Sequence, residues 1–153
     1  MPNWKVRLAG PSDAADVLAA DVFDDPANAL ATARFLGIPG APDLRNIVVL
    51  AEMDGRIVGF ASGTVLDHPD KPRNLFVQEL GVNEEAQRRG IARALMAALR
   101  TEGRARGCRA TWVLTEDDNH AARATYAATG GEETTGVVMY EWTEAPSDPD
   151  DQS

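Results

Sequence analysis

The sequence predicts an α/β domain built on a mixed sheet flanked by helices, and three observations carry that expectation. Strand-length apolar runs alternate with amphipathic helical stretches in the order β-α-α-β-β-β-α-β-α-β. Asp54-Gly55 separates two such runs as a two-residue hairpin turn. A helix opened by Gly90 follows closely on an apolar strand that ends at Val82.

Taken in order, Trp4–Leu8 alternates apolar and polar residues as a first strand. Gly10-Pro11-Ser12-Asp13 breaks it and supplies an N-cap for a helix carrying Val17, Leu18 and Val22. Asp24-Asp25-Pro26 ends that helix, and a second is expected from about Ala27 to Leu36, before the breaker-rich Gly37–Pro42. Ile47–Met53 and Arg56–Val65 are the arms of the hairpin, and Asp67–Pro72 is a loop. Leu75–Val82 reads as apolar on both faces and therefore central in the sheet. Ile91, Leu95 and Leu99 give the next helix one buried face, and Gly107 stops it after Arg106. Ala110–Leu114 is a fifth strand, Asn119–Thr129 a helix stopped by Gly130-Gly131, and Val137–Trp142 the last strand. Residues 144–153 form an acidic, proline-containing tail expected to be mobile, which leaves 1–143 as a single domain.

A chain of 153 residues, 44% hydrophobic and 25% charged, suits one globular domain. The lone Cys108 excludes an intramolecular disulfide and fits a reducing compartment. The first residues lack the basic and apolar regions of a secretory signal, and no apolar run approaches a membrane span, so a cytoplasmic protein without a membrane partner is expected. A formal net charge of −9 argues against a nucleic-acid partner, because phosphate neutralisation needs excess Lys and Arg. The charge is uneven, however. Seven of the fifteen basic residues lie between Arg88 and Arg109, and acids gather at Asp13–Asp25, at Glu116-Asp117-Asp118 and in the tail. A basic island on an acidic body suits an anionic ligand held beside a cationic one.

The loop Gln87-Arg88-Arg89-Gly90-Ile91-Ala92 carries the most chemistry. A diphosphate needs several N–H groups aimed at it, and a helix N-terminus offers them with a favourable dipole. Gly90 lets the backbone approach, Ala92 keeps the first turn slim, and Arg88, Arg89 and Arg93 add charge-assisted contacts. Without Gly-Lys-Ser/Thr it is no Walker A loop, and without three glycines no dinucleotide fingerprint. On its own the loop fits some anionic ligand or an ordinary strand-to-helix connection. Glu79 interrupts an apolar strand and is either a base facing an acceptor or a buried carboxylate satisfied by backbone or arginine. Cys108 reads as a small buried residue, and His68 and His120 have no partners at ligand spacing, so no metal site is expected.

The loop resembles motif A of the GNAT superfamily of N-acetyltransferases, Gln/Arg-x-x-Gly-x-Gly/Ala, preceded by Glu79-Leu80-Gly81-Val82 and followed by Ala94-Leu95-Met96. Asp118-Asn119-His120-Ala121-Ala122-Arg123-Ala124-Thr125-Tyr126 is similar to that family's Asn-x-x-Ala-x-x-Leu-Tyr segment. Thr125 replaces the usual Leu, and Gly131 the usual Phe. The resemblance implies a mostly antiparallel sheet of six to seven strands with about four helices, its fourth and fifth strands splayed. It implies acetyl-CoA as co-substrate, with the backbones of Leu80, Gly81 and Val82 along the pantetheine. Gln87, Arg88, Arg89, Gly90, Ile91, Ala92 and Arg93 would lie at the pyrophosphate, and Asn119 would bond the pantetheine arm. Tyr126 would sit near the sulfur, as proton donor or as positioning group, and Glu79 would be the candidate general base.

Within the superfamily the chain is most similar to the short aminoglycoside 3-N-acetyltransferases, through Phe23-Asp24-Asp25-Pro26, Lys71-Pro72-Arg73 and Asp117-Asp118. Asp24, Asp25, Glu79, Asp117 and Asp118 then become candidate contacts for a polycation. Two other readings stay open: acetylation of a protein or peptide amine, and a regulatory module that binds acyl-CoA without turnover. The apolar edge Val137-Val138-Met139 permits a homodimer.

Overall fold

The computed structural model describes residues 3–22 and 45–145. Five strands form one sheet in sequence order: β1 (Trp4–Leu8), β2 (Asn46–Met53), β3 (Arg56–Leu66), β4 (Asn74–Val82) and β5 (Ala110–Val113). Neighbours are antiparallel from β1 to β4, and β5 runs parallel to β4. The described residues include three helices, α1 (Ala14–Ala19), α2 (Ile91–Ala105) and α3 (His120–Ala128), with short 3-10 turns at Pro11–Asp13 and Glu84–Ala86. The hairpin turns where expected, with Asp54 at φ 52° and Gly55 at φ 76°, the left-handed pair a tight turn requires.

The sheet separates two apolar layers. On one face Ile47, Val49, Ala51, Ala61, Leu75 and Val77 meet Ile91, Leu95 and Leu99 of α2. On the other, Val48, Leu50 and Phe60 meet Val17 of α1. Gly103 continues the buried stripe of α2, and a Cβ there would lie 2.9 Å from Leu75 Cδ2, so the helix sits tight on β4. Both longer helices end in the same device. Cys108 N–H reaches the Gly103 carbonyl around Gly107, and Gly131 N–H reaches the Tyr126 carbonyl around Gly130.

Several expectations are corrected. The described residues hold five strands, not six to seven, and three of the four expected helices. Val137–Trp142 has the composition of a strand but forms none, and it pairs with no strand among the described residues; composition alone does not make a strand without a neighbour's backbone. The expected helix at 27–36 and the Asp24-Asp25-Pro26 stop lie outside the described residues, as does the tail from 146 onwards. Asp13 does not cap α1 with its side chain. Its carboxylate accepts from Arg7 at 2.7 and 3.1 Å and from Gly10 N–H at 2.8 Å. Arg7 also donates to Glu52, and its guanidinium holds both carboxyl groups below their ordinary range.

Candidate active site

β4 changes character at Gln78. Asn74–Val77 pair with β3 on one side and with Ala110–Val113 on the other, whereas Gln78–Val82 extend past the end of β5. Among the described residues, no strand lies along that edge of the second half. Asn83 donates its N–H to the Val58 carbonyl at 2.7 Å. Main-chain groups alternate sides along a strand, so Gly81 addresses β3 as well, and Leu80 and Val82 turn their N–H and C=O towards the open edge. Gln87 Nε2 donates to the Val82 carbonyl at 3.0 Å, which ties the following loop to that edge.

A bulge sets the direction of Glu79. Gly63 lies opposite Val77 and Ser62 opposite Glu79, so Gln78 is the extra residue. Strict alternation would have put Glu79 beside Val77 in the core. The bulge instead sends it to the face of Phe60 and Ser62, away from α2, while Leu80 and Val82 return to the core side. Glu79 is thus exposed rather than buried, and β4 is not apolar on both faces.

That face carries residues the sequence reading did not single out. Gln78 Nε2 donates to Thr64 Oγ1 at 2.9 Å, and Thr64 donates to Asn46 Oδ1 at 3.2 Å. The rings of Phe76 and Trp112 lie 4.5 Å apart, and Trp112 Nε1 donates to Asn74 Oδ1 at 2.9 Å. Asn74 Nδ2 in turn lies 2.8 Å from His68 Nε2. The polar alternation Asn74, Phe76, Gln78 along one side of β4 was the available signal.

At the end of the loop, Gly90 sits at φ 84° as the N-cap of α2, and a Cβ there would meet nothing within 4 Å. Arg88 is also left-handed, at φ 63°. Alternating backbone hands of this kind turn successive N–H groups to one side, and the first-turn amides of a helix have no acceptor within it. Ile91 is buried and anchors the turn, Ala92 is half-buried, and Arg88, Arg89 and Arg93 are exposed around it. The geometry and charge suit a diphosphate.

Tyr126 stands on α3, half-buried against the main core, and burial pushes its hydroxyl above the ordinary tyrosine value. It is protonated at neutral pH and able to donate. Asn119 begins the same helix, its Oδ1 accepting the Ala122 N–H at 3.1 Å. Asp117 and Asp118 are exposed in the turn before it, and the Asp117 carbonyl accepts from Arg123 at 2.6 Å. Gly131 in place of a larger residue has a local reason: a Cβ there would lie 3.0 Å from the Tyr126 carbonyl oxygen. Asp24 and Asp25 lie outside the described residues. Cys108 is buried, and burial pushes its thiol upward. Among the described residues no group of three His, Cys, Asp or Glu is arranged to hold a metal, and no helix is long and apolar enough to cross a membrane.

The profile of the acetyltransferase (GNAT) family matches residues 16–130. The chain belongs to that family. Among the chain's relatives, the aminoglycoside N(6')-acetyltransferase type 1 of Salmonella typhimurium is 30% identical over 95 residues, 60% of this chain and 66% of that protein. The matched stretch thus falls just short of two thirds of that relative's length. The L-2,4-diaminobutyric acid acetyltransferase of Nocardia farcinica is 34% identical over 86 residues, 56% of this chain and 44% of that protein. The fold is that of AAC(6')-Iy bound to the bisubstrate analogue CoA-S-monomethyl-acetylneamine, with TM-score 0.75 and 22% identity over 93% of this chain and 99% of that one. An aminoglycoside acetyltransferase from an uncultured soil metagenomic sample superposes with TM-score 0.76 and 23% identity, covering 94% of this chain and 100% of that one.

Proposed function

We propose that this GNAT protein transfers the acetyl group of acetyl-CoA directly to a primary amine of an aminoglycoside. The observation that carries the proposal is the open half of β4, which leads into the glycine-opened helix α2 and carries Glu79. Gly90, Ile91 and Ala92 would hold the pyrophosphate with main-chain N–H groups, with Arg88, Arg89 and Arg93 around it and Gln87 bracing the loop. The Leu80 and Val82 main chains, flanking Gly81, would bond the pantetheine amides, and Asn119 keeps its Nδ2 for the same arm. Acetyl-CoA supplies an activated thioester.

This chain's residues move the protons. An alkylammonium with a pKa near ~10 is mostly protonated at neutral pH, so the acceptor must lose a proton before it attacks. Glu79, on the face away from α2, takes it. Tyr126, protonated, gives one to the departing thiolate. Glu79, Asp117 and Asp118 are the acids that favour a polycation, with Asp24 and Asp25 as further candidates.

The relatives named for the 6' amine support acetylation there, and the 3-N position is the alternative. The diaminobutyrate enzyme among the relatives favours a second reading, a small diamino acid. The test is release of free CoA thiol from acetyl-CoA over a panel of aminoglycosides, diamino acids, polyamines and peptides, with the product's acetylated nitrogen mapped by NMR. Turnover on aminoglycosides that falls as salt rises is expected. Turnover confined to peptides, or acetyl-CoA binding with no turnover on any amine, would overturn the proposal. We read the active protein as a homodimer.

A further inference from the structure

Trp112 is 42% exposed and stands on the same face of the sheet as Glu79. A single surface tryptophan is ordinary, but this one is held in place. Its ring packs on Phe76 at 4.5 Å between centroids, with 32° between the planes. Its Nε1 donates to Asn74 Oδ1 at 2.9 Å, and Asn74 Nδ2 lies 2.8 Å from His68 Nε2. The one polar group of the indole is therefore satisfied within the protein. What Trp112 offers outward is π surface in a fixed orientation.

The surroundings of Glu79 leave a bound acceptor one direction in which to extend. Towards the end of β4 the way is taken, because Asp21 and Val22, which follow α1, lie against the strand there. Asn83 Nδ2 donates to Asp21 Oδ1 at 3.0 Å. A Cβ on Gly81 would stand 3.3 Å from the Val22 carbonyl oxygen and 3.1 Å from the Phe60 ring. Gly81 is the next residue after Glu79 on that face. In the opposite direction β4 presents Gln78 and then Phe76, with Trp112 beside Phe76 on β5. Phe76 precedes Glu79 by three residues of strand, roughly 10 Å. That is farther than a single amino-sugar ring extends from its own amine.

We propose that Trp112, backed by Phe76, is the subsite for a second ring of the acceptor, an ammonium-bearing sugar stacked on the indole while the amine of the first ring meets Glu79. A cation over an aromatic face is drawn to the ring quadrupole, and tryptophan gives the strongest such attraction. An acceptor with ammonium groups on linked rings reaches both Glu79 and the indole. A diamino acid has no second ring to place there. The subsite thus selects a multi-ring polyamine over a small diamine. The proposal rests on the aminoglycoside reading above and assigns the residues that recognise the ring that does not react.

The test compares a three-ring aminoglycoside with the free amino sugar that forms its reactive ring. The ratio of the two kcat/KM values measures the preference for the larger acceptor. In Trp112→Ala that ratio should fall about 10-fold, mainly through KM of the larger acceptor, and Trp112→Phe should restore most of it. A merely structural role would lower both values together and leave the ratio unchanged. If Trp112→Ala fails to fold, the indole N–H resonance of Trp112 in the isotope-labelled, unaltered chain decides. The larger acceptor should shift that resonance, and the single ring should not. Acetylation of both acceptors with an unchanged ratio, or a resonance that both move alike or neither moves, overturns the subsite and leaves acetyl transfer standing. A resonance shifted by the larger acceptor alone, with no thiol release, would instead sink acetyl transfer and leave the ring subsite standing.

Discussion

The two halves of β4 are four and five residues of one strand doing different things. Asn74–Val77 have strands on both sides and give Leu75 and Val77 to the core under α2. Gln78–Val82 have β3 on one side and an open edge on the other, and there the strand presents main-chain groups and a carboxylate. The boundary is one bulged residue. The difference shows how a sheet can be rigid and open along a single strand: the closed half fixes the position of the half that is free to bind.

If that division is right, substitutions in the two halves fail in opposite ways. Glu79→Gln should have the largest effect, a loss of about 10³-fold in kcat/KM, roughly 4 kcal/mol, as expected for a removed general base. Thermal unfolding should show stability within about 0.5 kcal/mol of the parent, because the side chain is exposed. Leu75→Ala should do the reverse, destabilising by about 3 kcal/mol in urea titration while the folded fraction keeps its kcat. A Leu75→Ala protein of normal stability, or one inactive while fully folded, would erase the distinction between the halves.

Tyr126→Phe tests the proposed proton donor. It should lower kcat by about 10²-fold in steady-state assays, near 2.7 kcal/mol, with KM for acetyl-CoA little changed. A change in KM alone would make Tyr126 a packing residue. Smallest of all, Gln78→Ala removes the bond to Thr64 at the bulge. It should cost about 0.5 kcal/mol of stability, and a larger fall in kcat than in stability would mark the bulge as what aims Glu79.

Much of this was legible in the sequence because it is local. Asp54-Gly55 dictates its turn, the spacing of Ile91, Leu95 and Leu99 dictates a buried helix face, and Gly107 and Gly130 stop their helices through left-handed backbone. The loop Gln87–Ala92 and the Asn119…Tyr126 segment likewise sit on the elements expected of them. What escaped depends on distant partners. The bulge at Gln78 exists only against Ser62 and Gly63 of another strand, so alternation alone could not decide between an acceptor-facing and a buried Glu79. Asp13 looked like a cap because Arg7 and Glu52, the latter far along the chain, could not be seen to converge on that corner. Gly103 has no side chain to count as apolar, yet its close approach to Leu75 seats α2. Val137–Trp142 has strand composition, but composition cannot say whether another strand lies beside it.

The buried position of Cys108 has a practical consequence. Acetyl transfer from a thioester releases CoA, a free thiol, and reagents that detect it attack accessible thiolates. The protein's single cysteine is both shielded and, by its raised pKa, held in the unreactive thiol form. A disulfide reagent added to a reaction should therefore report product with little background from the folded protein. For the same reason, accumulating CoA should find no cysteine with which to form a mixed disulfide.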